Sequence, residues 1–156
     1  MADPKKDSAG IKFPPPLIYL LFLLAGLALE RVWPVGLVPG VARFWIGGAL
    51  LALALACGLW ARAQFRRAGT PIRPDRTTTA IVSTGPYAYS RNPLYLTLAA
   101  VYLGIAVLAE SAWAILLLLP ALWTVQRFVI GREERYLEGK FGEVYRAYKE
   151  SVRRWL

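Results

Sequence analysis

The chain contains no histidine. That absence excludes a histidine-ligated metal, a Ser-His-Asp or Cys-His nucleophile system and an imidazole general base, and no metal site is read from the remaining residues. A single cysteine, Cys57, stands in an apolar run, so no disulfide can form within the chain. Acidic residues are scarce, 10 against 19 lysines and arginines, for a formal net charge of +9. There is also no glycine-rich dinucleotide fingerprint and no nucleic-acid-binding motif. Nucleic acid is therefore not an expected partner, and the positive charge needs another explanation.

What is abundant is apolar surface. Hydrophobic residues make up 56% of the chain and the mean hydropathy is +0.40, which places it among membrane proteins. Four segments reach or approach the roughly 20 residues that cross a bilayer as a helix. They cover residues 14–33, 41–60, 93–109 and 111–130, and the second could run on through "ARAQFRR". The prolines at 14–16 are tolerated at a helix start, where their missing N–H groups would be unpaired in any case. Pro120 should kink the fourth segment or be absorbed by its neighbours. Only a few residues separate the third and fourth segments, which predicts a tight antiparallel hairpin. The expected fold is all-α: an integral membrane helical bundle of about four transmembrane helices plus a cytoplasmic C-terminal amphipathic helix. Residues 14–156 are expected to form one domain behind a flexible polar tail over 1–13. No cleaved signal peptide is expected, because the first apolar run is long and a second follows at once.

The charges orient this scheme. Every lysine and arginine except Arg31 and Arg43 falls in the tail, in the central loop or from Arg127 onward. By the positive-inside rule both termini and the central loop face the cytoplasm, against anionic headgroups.

Two polar stretches remain on that side. One is the connection over 66–92, too long for a simple turn. The other is 131–156, where Leu137, Phe141, Val144, Tyr145, Tyr148 and Val152 recur at helical spacing, interrupted at Gly142. Within the first, "GPYAYSRNPLYL" holds Tyr87, Tyr89, Arg91, Asn92 and Tyr95 around Pro93. Pro93 starts the third apolar segment, and unpaired N–H groups at a helix start attract an anion. The tyrosines fit an interfacial aromatic belt equally well. Glu133 and Glu134 either pair with neighbouring arginines in an exposed turn, or one of them turns inward to accept hydrogen bonds from a ligand. Gln126 and Arg127 are the deepest polar residues of the fourth segment, facing a cavity or snorkelling.

"GPYAYSRNPLYL" followed, after a helical hairpin, by "EERYLEGKFGEVYRAYKE" resembles the paired signature of the isoprenylcysteine carboxyl methyltransferase and phospholipid methyltransferase superfamily. The resemblance implies a small integral membrane enzyme that binds S-adenosylmethionine on the cytoplasmic side. It implies a site formed by Tyr87, Arg91, Asn92, Pro93, Leu94 and Tyr95 with Glu133, Glu134, Phe141, Tyr145 and Tyr148. Many relatives carry histidine where this chain has Asn92, and asparagine can donate hydrogen bonds but cannot take a proton. The acceptor implied is a lipid or isoprenoid molecule in the membrane. A carboxylate acceptor, pKa about 3.5, is ready for methylation at neutral pH, whereas an ammonium near 10 must first lose a proton. A histidine-free site therefore leans toward carboxylate O-methylation, with Arg91 or Arg127 orienting the carboxylate and Glu133 accepting hydrogen bonds or a proton. N-methylation of a phosphatidylethanolamine-type lipid, and a non-enzymatic scaffold with a basic helix on the bilayer, are the competing readings. The oligomeric state is not legible.

Overall fold

A computed structural model of the chain describes residues 10, 13–36, 40–71 and 78–156. Most of the expected tail, and residues 72–77 of the central loop, lie outside the described residues. Every regular element among the described residues is helical: α1 (Pro15–Val32), α2 (Ala42–Arg67), a short 3-10 turn (Gly85–Ala88), α3 (Pro93–Leu108), α4 (Ala112–Val125), a π turn (Gln126–Ile130), α5 (Gly131–Phe141) and α6 (Glu143–Ser151).

Among the described residues three stretches are long and apolar enough to cross a membrane: Pro15–Val32, Ala42–Arg67, and Ala112–Phe141, which runs unbroken through the π turn. Pro120 is absorbed inside α4, and the Thr124 hydroxyl donates to its carbonyl at 2.8 Å. As expected, α2 continues through "ARAQFRR". The third expected span is shorter than the others. α3 has 16 residues, a rise of about 24 Å against a hydrocarbon core of about 30 Å. It stops because Glu110 takes a positive φ of 54°, and the Ser111 amide closes the reversal onto the Ala106 carbonyl at 3.0 Å.

The chain divides into two compact units, one made by 13–56 with 95–125, the other by 57–94 with 126–156. The first is helical and held by small residues. In α1 the buried residues Tyr19, Leu23 and Gly26 recur at four- and three-residue spacing, one stripe of a helix. Gly26 lets α1 and α4 touch backbone to backbone: a Cβ there would lie 2.7 Å from the Ala114 nitrogen. The Ser111 hydroxyl donates to the Gly26 carbonyl, and the Ala114 amide donates to that same hydroxyl. Gly47 meets Gly104 and Leu108 in the same way. Lipid tails are as apolar as leucine, so close packing and buried hydrogen bonds, rather than water exclusion, hold such helices together. Tyr102 supplies one of these bonds, donating to the Ala114 carbonyl at 2.8 Å.

Both carboxylates of this unit are engaged. Glu30 accepts from the Val35, Gly36 and Trp113 amides, binding the end of α1 to the start of α4, and Arg43 pairs with Glu110.

Gly26→Leu should force α1 from α4 and lower stability by about 1–3 kcal/mol, as overpacking does elsewhere. Gly48→Ala, where a Cβ meets nothing within 4 Å, should leave stability intact. Thermal unfolding of both variants in one detergent checks the contrast; equal behaviour would remove Gly26 as the packing determinant.

Candidate functional site

The second unit begins where α2 ends. Ala61, Gln64 and Phe65 lie three and one residues apart on that helix, and the returning chain closes on them. Gly85 is required there: its φ is +63°, and a Cβ would come within 2.8 Å of the Gln64 side chain. The Thr84 hydroxyl donates to the Gln64 side-chain oxygen at 3.0 Å. Pro86 then helps fix a 3-10 turn, and its carbonyl takes the amides of both Tyr89 and Ser90. The turn drives the Tyr87 ring into a cluster with Ala61 and Val82, flanked by Phe65 and Leu94. Phe65 stands edge-on to it at 5.3 Å.

The second polar stretch folds onto this turn. Gly142, with φ 55°, ends α5 and starts α6, a conformation disfavoured for residues with a Cβ. α6 thereby carries Tyr145 and Tyr148 inward, and the Tyr148 hydroxyl donates to the Tyr87 carbonyl at 2.7 Å. Arg91 meets Glu134 at 3.0 Å, with side chains only 8% and 9% exposed. Arg91 also donates to the Lys149 carbonyl, while its Nε is buried without a hydrogen-bond partner among the described residues. Arg154 makes a second pairing to the same carboxylate, Nε to Oε1 at 3.1 Å and a terminal nitrogen to Oε2 at 2.6 Å. Asn92 is buried and donates to the Arg154 carbonyl at 2.9 Å.

Electrostatics define what these groups can do. Burial pushes the Tyr87 hydroxyl far above its ordinary range, and the nearby Glu133 charge adds to this. Tyr145 rises through burial and the Glu134 charge, opposed by Arg91. Tyr148 is pushed up to about 12, mainly by burial. All three are neutral donors at physiological pH and none is a base. The Arg154 guanidinium is held protonated more firmly than usual by its hydrogen bond to Glu134.

Of the residues expected at the site, this unit gathers Tyr87, Arg91, Asn92, Pro93, Leu94, Glu133, Glu134 and Tyr145. Glu134 is the glutamate that turns inward, but toward two arginines, and Glu133 beside it is half-buried. Two further residues of that expectation have other surroundings. Tyr95 belongs to the helical unit, where its carbonyl accepts from the Tyr19 hydroxyl at 3.2 Å. Arg127 is exposed, because the π turn directs Val129 and Ile130 inward in its place. Sequence reasoning missed Ser90 and Arg154. A buried glutamate demands a cation, but with so many arginines on the segment, spacing alone does not single out Arg154.

Glu134→Gln leaves the Arg91 guanidinium buried without its counter-charge and should cost about 3 kcal/mol or more. Arg154→Gln removes a partner that is 37% exposed and should cost about 1 kcal/mol or less. Thermal unfolding of the two variants checks the order, and equal losses would mean that the arginines share the carboxylate evenly.

Comparison with known proteins adds a lineage to this geometry. The family model described as phospholipid methyltransferase matches residues 42–144, a stretch that takes in both halves of the polar site. An uncharacterized protein of Haemophilus influenzae is 41% identical over 63 residues, 40% of this chain and 100% of that protein. No solved structure matches. With more than half of its length matched and the two signature stretches folded onto one another, the chain belongs to the phospholipid methyltransferase family.

Proposed function

We propose that this membrane methyltransferase uses S-adenosylmethionine and transfers its methyl group to the amine headgroup of a membrane lipid, with the polar unit turned to the cytoplasm. The observation that carries the reading is the joining of "GPYAYSRNP" to "EERYLEGKFGEVYRAYKE" through Arg91–Glu134 and Tyr148–Tyr87. Two segments far apart in sequence bring neutral donors, a carboxylate and a buried guanidinium nitrogen into one place. That set fits the donor molecule: Asn92, Ser90 and Arg91 Nε suit its acceptor oxygens, and Glu134 suits its cationic or hydroxyl-bearing parts. When bound, S-adenosylmethionine supplies an electrophilic methyl on a sulfonium. The protein's part is to align the acceptor with it and to exclude water.

The weight moves from carboxylate to amine because Arg91, the buried one of the two arginines offered for the carboxylate, is already engaged. Arg127 is exposed, and the terminal nitrogens of Arg91 already serve Glu134 and the Lys149 carbonyl. Glu133, close enough to Tyr87 and Tyr145 to raise both hydroxyls, is an anion suited to draw in an ammonium group and take its proton. O-methylation of a carboxylate on an isoprenoid-like lipid is the second reading, favoured by a buried donor in the polar unit without a partner among the described residues, Arg91 Nε.

Purified protein incubated with total membrane lipid and methyl-labelled S-adenosylmethionine should yield label stable to mild alkali, as N-methyl groups are. Release of the label as methanol would identify an ester and overturn the amine reading. Glu133→Gln should lower turnover by about a hundredfold, in line with the loss of a general base. The residual rate should climb with pH toward the ammonium pKa near 10; a pH-independent residual rate would remove Glu133 from proton transfer.

A further inference from the structure

The last residues of the chain lie across the site itself. α6 ends at Ser151, and the segment that follows runs back over the Ser90–Asn92 turn. The Arg91 amide donates to the Arg153 carbonyl at 2.9 Å. The Ser90 hydroxyl and the Asn92 amide group both donate to the Arg154 carbonyl, at 3.3 and 2.9 Å. The Arg154 side chain covers both oxygens of Glu134, and the Trp155 indole donates to Gln126 at 2.9 Å.

This segment is held by polar contacts rather than by a core. Arg153 and Leu156 are exposed, and Val152, Arg154 and Trp155 are only half-buried. Releasing it would open no cavity among packed side chains. Glu134 would not lose its counter-charge either, because Arg91, the more buried arginine, stays on Oε1. What release frees is a specific set: three donors, at the Ser90 hydroxyl, the Arg91 amide and the Asn92 side chain, and one acceptor at Glu134 Oε2. The segment satisfies that set with two carbonyl oxygens and a cation. An α-amino acid presents the same pattern, a carboxylate beside an ammonium.

We propose that residues 153–155 are an internal competitor for the methyl donor, filling the groups that its amino-acid end would use, so that the donor enters only as the segment is displaced. The proposal rests on the reading of this site as the donor's. Arg154 is the specific grip, since the remaining contacts to the Ser90–Asn92 turn use main-chain carbonyls that any residue supplies.

The test is calorimetric binding of S-adenosylhomocysteine to the full chain, to Arg154→Gln and to a chain ending at Val152. Both altered proteins should bind roughly five- to tenfold more tightly than the full chain, the factor expected when a partly exposed charge-assisted contact no longer competes. In the unaltered protein, S-adenosylhomocysteine should accelerate trypsin cleavage after Arg153 and Arg154. Affinity equal to or weaker than that of the full chain in a folded Arg154→Gln protein, or protection from trypsin by the ligand, overturns the competitor role while leaving the donor site standing. Binding to none of the three proteins sinks the donor reading and the competitor role with it.

Discussion

The buried pair of Arg91 and Glu134 is the contact on which the polar unit depends. Neither charge tolerates burial alone, since an unpaired ion in a protein interior costs several kcal/mol. Each can be buried only when the other arrives, so the turn that carries Arg91 and the helix that carries Glu134 have to meet. Much of the local geometry serves that meeting. Gly85 and Pro86 set the turn, Pro93 starts α3 immediately after it, and the break at Gly142 sends α6 back so that the Lys149 carbonyl reaches Arg91. The pair gives less net stability than its short distance suggests, because desolvation offsets the attraction. Its larger effect is to disfavour other arrangements of the two segments.

Neighbouring positions on α5 show how helical geometry separates roles. Glu133 and Glu134 are chemically alike, yet successive residues of a helix point about 100° apart. One is buried against two arginines and serves the fold. The other is half-buried near Tyr87 and Tyr145 and keeps its charge where an incoming group could meet it. The tyrosines divide differently: burial keeps every one of Tyr87, Tyr145 and Tyr148 protonated, so they hold and orient but do not take protons.

The apolar segments were legible because length and hydropathy report directly on a helix in a bilayer, and α1, α2 and α4 follow the expected bounds to within a few residues. α3 ends at Leu108, one residue short of the expected 109, and what stops it is a backbone conformation at Glu110 that no side-chain pattern announces. The break at Gly142 was readable from glycine inside an amphipathic repeat. The exposure of Arg127 was not readable, because depth in an apolar run does not give direction and a π turn adds a residue that shifts the register. Nor does adjacency to a polar cluster announce the contact between the Tyr95 carbonyl and the Tyr19 hydroxyl. The C-terminal segment was unreadable for a simpler reason. Its links to Ser90 and Asn92 run through main-chain carbonyls, which leave no mark in the sequence.

Asparagine at position 92 ties these strands together. Relatives that carry histidine at the matching place have a group there that can both donate and titrate. Asn92 keeps the donation and loses the titration. With no imidazole anywhere in the chain and the site's phenols locked neutral, a carboxylate is the group left in the polar unit that can accept a proton. Glu134 is held between two guanidinium groups, whereas Glu133 lies close enough to Tyr87 and Tyr145 to raise both hydroxyls. An acceptor that arrives already anionic would not need a carboxylate there, whereas an ammonium would. The nearness of Glu133 to those tyrosines, rather than any arginine, is therefore what the proposed choice of an amine acceptor turns on.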